Sequence, residues 1–107
     1  MSDGQLGMSH AFEVFMTEAP RHAQAWMEAV EGVESASALD KKTNELAYLA
    51  VLAALRLESG IRFHVLEAKR ARASREEVIS AILVGLPATG HGVTQVLPAA
   101  IAAYDAE

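Results

Sequence analysis

Apolar residues recur at helical spacing along most of the chain, which predicts a series of amphipathic helices. The first segment runs from about Ser9 to Val33, and Pro20 should break or restart the helix inside it. Its apolar stripe consists of Phe12, Phe15, Met16, Ala19, Ala23, Trp26, Met27 and Val30. Aromatic and methionine side chains at this spacing indicate a core or a contact between subunits.

The second predicted helix is the most apolar segment of the chain. Asp40 is a good N-cap for it, and Ser59 with Gly60 should end it. Its ten-residue apolar run, Leu46 to Leu55, is too short to span a bilayer, which needs about 20 residues. Because this helix is apolar almost all round, we expect other helices or a partner subunit to enclose it.

Two further helices are predicted in the middle of the chain. The third helix, IRFHVLEAKRARA, carries Ile61 and Val65 on one face together with His64. Ser74 and Glu77 form a capping box, which marks the start of the fourth helix.

The C-terminal part completes a helical pattern. Gly85 and Pro87 should close the fourth helix, and the segment ATGHG predicts a turn. A last helix is predicted from Val93 to Tyr104, and Pro98 should bend or divide it. Signals for β-strands are weak throughout. The pattern therefore predicts an all-α fold, a small antiparallel bundle of five to six helices, as a single domain covering the 107 residues.

The chain contains no cysteine, which excludes disulfides, thiolate metal sites and cysteine nucleophiles. The N-terminal sequence MSDGQLGMSH has neither a basic start nor a long apolar run, so we do not expect it to be a signal peptide. We expect a cytoplasmic location, with which the lack of cysteine is compatible, and no membrane partner.

The net charge of −5 is unevenly distributed. Residues 56–75 contain six lysines and arginines against two glutamates, whereas the residues on either side are predominantly acidic. A basic helix of this kind could bind an anion or a nucleic acid, or it could be a solvated face that pairs with acidic segments. We favour the solvated face and expect no nucleic-acid partner, because nucleic-acid-binding domains are usually basic overall.

Glu45 and His64 are the leading candidates for chemistry. The glutamate lies just ahead of the apolar run of the second helix, and the histidine lies on the apolar face of the third. The two side chains could therefore meet across a helical hairpin, where they would suit proton transfer next to a carbonyl group or protonation after loss of CO2. The alternative is a buried polar pair that satisfies itself and fixes the packing of two helices.

Other polar residues are weaker candidates. Glu58 could be a second acid near this pair or a solvated residue at a helix end. His91 lies between glycines that could let a ligand approach closely, or it is an exposed loop residue. His64 and Glu67 could face one metal ion, but no second pair of this kind exists. We therefore predict neither a metal site nor a cofactor.

The stretch from Leu39 to Leu86 and the tail AAIAAYDAE resemble the carboxymuconolactone decarboxylase family, which includes the alkyl hydroperoxide reductase D proteins. The motif of its redox branch is a glutamate, eleven residues, a cysteine, two residues, a second cysteine, three residues and a histidine. Glu45 and His64 stand at the matching positions, but Leu57 and Gly60 replace the cysteines. The peroxidase and disulfide-reductase activities of that branch are therefore not expected here.

The resemblance implies an AhpD-like fold and a homo-oligomer, because family members assemble as trimers and hexamers. The decarboxylase branch also lacks the cysteine pair, and LESGIRFH is similar to the charged, glycine-containing stretch before its histidine. For this chain the resemblance implies acid–base decarboxylation or lactone chemistry on a small carboxylate, which Arg56 or Arg62 could hold. The candidate site residues are Glu45 and His64 for catalysis and Glu58, Arg62 and His91 for substrate binding. The alternative function is a non-catalytic oligomeric binding or scaffold protein of the same fold.

Overall fold

The computed structural model describes residues 9–106, and helices account for the regular structure throughout that range. The α-helices are α1 (His10–Glu18), α2 (Pro20–Ala36), α3 (Lys41–Ala54), α4 (Ile61–Arg70), α5 (Arg75–Leu83), α6 (Leu86–Thr89) and α7 (Leu97–Ala106). Two 3₁₀ helices, Glu58–Gly60 and Gly90–Val96, precede α4 and α7. The predicted all-α class is confirmed. Among these described helices, none is both long and apolar enough to cross a membrane.

Side-chain caps start α1, α3 and α5, because the first backbone N–H groups of a helix have no partners within it. The Asp40 carboxylate accepts a hydrogen bond from the Thr43 N–H at 2.8 Å, and Ser9 caps α1 in the same way. At the start of α5, the Ser74 hydroxyl accepts from the Glu77 N–H while the Glu77 carboxylate accepts from the Ser74 N–H. The helix starts predicted at Asp40 and Ser74 are therefore confirmed.

Prolines mark the starts of helices. Pro20 is the first residue of α2, and Pro87 and Pro98 are the second residues of α6 and α7. A proline fits there because the first turn needs no N–H donor, whereas farther along its ring would clash with a carbonyl of the preceding turn. Helix α5 ends at Leu83, just before Gly85 and Pro87, as predicted. Two other predictions are wrong: the segment ATGHG is not a turn, since it lies in α6 and the second 3₁₀ helix, and the last α-helix starts at Leu97 because Gly90–Val96 is a 3₁₀ helix. The division of that segment at Pro98 agrees with the prediction.

Helix α3 ends at Ala54, earlier than the end predicted from Ser59 and Gly60. Arg56 takes the left-handed backbone conformation with φ of 58°, which reverses the chain. The N–H of the following residue then donates to the Leu52 carbonyl at 2.9 Å, the hydrogen bond that closes a helix C-terminus. Because glycine usually occupies such a position, an arginine there carried no signal for the end of the helix.

The core lies between α3, α4, α5, the second 3₁₀ helix and α7. Its buried residues are Leu49, Leu52, Ala53, Ile61, Val65, Ala68, Ala73, Val78, Ala81, Ile82, Val93, Val96, Ala100 and Ala103. Helix α3 packs against α4 and α5, and α7 packs against the same two helices. The described chain encloses α3 on one side only, since Tyr48, Val51 and Leu55 are exposed on its outer side.

Helices α1 and α2 form a pair that adds little to this core. Within them only Ala23 is buried. Trp26 is 54% exposed, and Met27, Val30 and Val33 of the same helix are exposed as well. The apolar stripe predicted from the spacing is present on α2, but the described residues leave most of it uncovered.

The C-terminal helix is tied to the middle of the chain by polar contacts. The Lys69 ammonium donates to the backbone carbonyl of Tyr104 at 2.7 Å, and the Tyr104 hydroxyl donates to the Ala73 carbonyl at 2.9 Å. Arg75 forms a two-pronged ion pair with Asp105 at 3.0 and 3.2 Å. Part of the basic segment 56–75 is therefore paired with the acidic C-terminal part of its own chain.

We expect Arg72→Gly to raise the free energy of unfolding by about 0.5–1 kcal/mol. Arg72 follows α4 in the left-handed conformation with φ of 75°, which glycine adopts without a steric penalty. Urea unfolding of both proteins measures the difference. The matched control is Ala47→Gly on the exposed side of α3, which should lower stability by about 1 kcal/mol. A loss of stability in Arg72→Gly would contradict the prediction.

Candidate functional site

Glu45 and His64 meet across the α3–α4 hairpin. Glu45 is the fifth residue of α3 and His64 is the fourth of α4. The Nδ1 atom of His64 lies 2.9 Å from the Oε1 atom of Glu45. The two candidates that the spacing placed on facing helices are therefore hydrogen-bonded to each other.

Glu45 is a buried carboxylate with a second partner. Its side chain is 4% exposed, and its Oε2 atom lies 3.1 Å from the ammonium of Lys41, one turn earlier on the same helix. Burial raises the pKa of Glu45, but the hydrogen bonds from His64 and Lys41 lower it by more, so that its pKa lies below the ordinary carboxyl value. Glu45 is therefore ionised at neutral pH.

An ionised Glu45 determines how the imidazole of His64 is used. A carboxylate only accepts hydrogen bonds, so the Nδ1 atom of His64 must carry the hydrogen between the two groups. The Nε2 atom of a neutral imidazole is then an acceptor on the opposite side of the ring. The His64 side chain is 20% exposed, in contrast to the closed environment of Glu45. This arrangement leaves one nitrogen of a solvent-reachable imidazole able to take up a proton.

Aromatic residues hold the ring of His64 in place. The ring of Tyr48 stacks on it with centroids 4.0 Å apart and an angle of 19° between the planes. The ring of Phe63 meets it edge-on at 5.1 Å. Tyr48 is also 45% exposed, so one of its faces covers the imidazole while much of the side chain remains open to solvent.

Of the two positions that hold cysteine in the redox motif, Gly60 lies next to the ring of His64. A Cβ atom placed on Gly60 would lie 3.8 Å from Cδ2 of His64, the ring carbon next to Nε2. Leu57 lies in the turn before the 3₁₀ helix and is exposed. Gly60 therefore lies beside the edge of the imidazole that contains Cδ2, and neither position carries a thiol.

The other sequence candidates are Glu58, Arg62 and His91. Glu58 is exposed in the first 3₁₀ helix. Arg62 precedes His64 by two residues on α4, so the two side chains leave the helix roughly 200° apart. His91 is exposed, and within residues 9–106 no hydrogen bond or ion pair joins Glu58 or His91 to the pair. Their roles in substrate binding stay predictions.

The glycine beside His91 is used by the protein itself. A methyl group on Gly92 would overlap the guanidinium of Arg56, which packs against the backbone there. The sequence suggested that a ligand could approach closely at this loop. At Gly92 this close approach is made by the side chain of Arg56, from the turn after α3. The space at Gly90, by contrast, is open.

Two members of the site were missed in the sequence. Lys41 precedes Glu45 by four residues, a spacing at which opposite charges meet on a helix, so its pairing could have been predicted. Tyr48 follows Glu45 by three residues and shares its face for the same reason. Neither spacing shows that Glu45 and Tyr48 both contact one histidine of another helix.

Comparison with known proteins shows which family the chain resembles. The family model described as the Carboxymuconolactone decarboxylase family matches residues 20–105. No curated protein shows a significant match to the chain. No solved structure shows one either.

We expect Glu45→Gln to lower the free energy of unfolding at about pH 7 by about 1–3 kcal/mol, because it removes a charged acceptor from Lys41 and His64. The folded-state pKa of Glu45 is lowered, so this stabilisation is fully present above the ordinary carboxyl pKa of 4.5 and is lost as the pH falls through the lowered value. Urea unfolding from about pH 7 to about pH 3 should show the two proteins converging. A constant difference across that range would contradict the assignment.

Proposed function

This chain belongs to the carboxymuconolactone decarboxylase family, and we propose that it carries out acid–base chemistry on a small carboxylate or lactone. In this proposal His64 carries the proton, and Glu45 orients the imidazole. The observation that carries it is the hydrogen bond between a buried carboxylate and a partly exposed imidazole. A pair with a purely structural role would not need a partly exposed imidazole.

The proposed reaction uses His64 in its protonated form. As the bond between the substrate carbon and its carboxylate breaks, CO2 leaves and the electron pair passes into the conjugated lactone carbonyl. The Nε2–H of His64 then delivers its proton to the carbanionic carbon, which leaves a neutral imidazole bonded to Glu45 through Nδ1–H. Solvent returns the proton through the exposed edge of the ring. The same pair would serve a proton shift next to a carbonyl without loss of CO2.

A thiol mechanism is not part of this proposal. Leu57 and Gly60 stand where the redox branch has its cysteines, and the chain has no other cysteine to replace them. The carboxylate of the substrate needs a cation, for which Arg62 and Arg56 stay the candidates. Glu58 and His91 stay candidates for contacts at the edge of the site.

The second candidate function is that of an oligomeric scaffold. A scaffold of this kind requires self-association, which the exposed apolar surface of the chain favours. One stripe on α2 contains Trp26, Met27, Val30 and Val33, and a second on the outer side of α3 contains Tyr48, Val51 and Leu55. Apolar patches of this kind on a small protein usually mark an interface. We propose that copies of this chain associate through these stripes as a trimer or hexamer. Since Tyr48 also stacks on His64, a neighbouring copy would border the site.

We expect His64→Ala and Glu45→Gln each to lower kcat by at least roughly 100-fold on the lactone carboxylate that the protein turns over best. A panel of such compounds is screened by CO2 release and by deuterium uptake from D2O, measured by NMR. The matched control is His22→Ala, an exposed histidine of α2, which should keep the activity of the unchanged protein. Circular dichroism and mass in solution check that each variant keeps its fold and assembly.

The outcomes separate the two functions. Turnover that survives both site variants would contradict the proposed catalytic roles. No turnover of any compound in the panel, together with a stable oligomer, would favour the scaffold. Loss of the oligomer in both site variants would show that the pair is structural.

We expect the unchanged protein to have the mass of a trimer or hexamer in light scattering at micromolar concentration. Val51→Glu should shift it to a smaller species, because the substitution places a charge in the centre of the apolar stripe of α3. Ser80→Glu, at an exposed position of α5 away from both stripes, is the control and should leave the mass unchanged. A monomeric mass for the unchanged protein would refute the assembly.

A further inference from the structure

Lys41 lies where three helices present carboxylates to a single ammonium group. Its Nζ atom is 3.1 Å from Oε2 of Glu45 on its own helix and 3.5 Å from Oε1 of Glu67 on α4. A third carboxylate, that of Glu34 near the end of α2, lies at 3.8 Å. Lys41 thus connects the helix pair α1–α2 to the two helices that carry the site.

The two oxygens of Glu45 have separate partners. Oε2 faces Lys41, and Oε1 faces Nδ1 of His64. A carboxylate with one partner can rotate and offer either oxygen, whereas one bound at both oxygens is fixed in its plane. Lys41 therefore determines which oxygen meets the imidazole and in what direction.

We propose that Lys41 is a positioning residue for His64: by binding Glu45 it keeps the imidazole in the form that carries hydrogen on Nδ1 and leaves Nε2 open. This inference rests on the proposed function, because it is there that the Nε2 atom of His64 has a catalytic role. The tautomer itself can be observed without any substrate.

The alternative protonation state shows why the ammonium matters. Glu45 is buried, and burial by itself favours the neutral carboxylic acid. A protonated Glu45 could donate its hydrogen to Nδ1, which would place the imidazole hydrogen on Nε2 and leave that nitrogen unable to accept a proton. Lys41 opposes this change because its charge stabilises the carboxylate. The ionisable groups around Lys41 are Glu34 from α2, Glu45 from its own helix and Glu67 from α4.

The pKa of Lys41 is consistent with this role. Burial lowers the pKa of its ammonium, but the bonds to Glu45 and the charges of Glu34 and Glu67 raise it by more, so that it lies above the ordinary value. Lys41 therefore stays charged throughout the pH range in which a histidine titrates.

The experiment is ¹⁵N NMR of the His64 ring in the unchanged protein and in Lys41→Met, recorded above the pH at which the same spectra show His64 to be neutral. The unchanged protein should show predominantly the Nδ1–H tautomer. Lys41→Met should shift a majority of the population to the Nε2–H tautomer, and Lys41→Arg should restore the original spectrum. The matched control is Lys42→Met, which removes the neighbouring ammonium that pairs with Glu77 at 2.9 Å and should change nothing at His64.

Two results would overturn the proposal. One is an Nε2–H tautomer in the unchanged protein, and the other is an unchanged Nδ1–H tautomer in Lys41→Met. If Lys41→Met does not fold, Lys41→Gln takes its place, since it keeps a donor without the charge, and the same two results decide.

If a substrate has been found, kcat of Lys41→Met should fall roughly 10- to 100-fold with little change in KM. A tautomer that depends on Lys41 in a protein without turnover would refute the proposed function while supporting the positioning role.

Discussion

The structure depends on keeping one carboxylate ionised inside the protein. A buried charge is costly unless it is paired and hydrogen-bonded, and Glu45 meets this condition with one partner on each oxygen. The condition constrains several elements at once: α3 must begin early enough to place Lys41 one turn before Glu45, and α4 must start where it brings His64 opposite. The N-cap at Asp40 and the turn at Arg56 set these two registers.

This constraint gives the site its chemical character. The carboxylate of Glu45 accepts a hydrogen bond from one nitrogen of His64. The ring carbon next to the other nitrogen lies beside Gly60, at a position where the redox motif has a cysteine. Without thiols, the chemistry that we propose for the site is proton transfer. Stacking by Tyr48 keeps the ring in one orientation, and a fixed acceptor is what acid–base catalysis requires.

The outer surface of the same helices connects the site to assembly. Helix α3 has a buried side that forms the core and an exposed side that is still apolar, and α2 carries a second exposed stripe that begins at Trp26. Tyr48 belongs to both the site and the exposed side of α3. Lys41 reaches Glu34 at the end of α2. A neighbouring copy on these surfaces would therefore act on the environment of His64 as well as on the stability of the fold.

Local features of the sequence determined the helical class, the caps at Asp40 and Ser74, the central place of α3 and the choice of Glu45 and His64, because periodicity and capping are properties of neighbouring residues. These local features failed at Arg56, where an arginine in the left-handed conformation ends α3, and in the segment ATGHG, which is helical where a turn was predicted. The partners of Glu45, the stacking on His64 and the contact of Arg56 with Gly92 join residues far apart in the chain. Only the packing of α3 against α4 and the second 3₁₀ helix decided them, since a spacing places side chains on a face but does not say what that face meets.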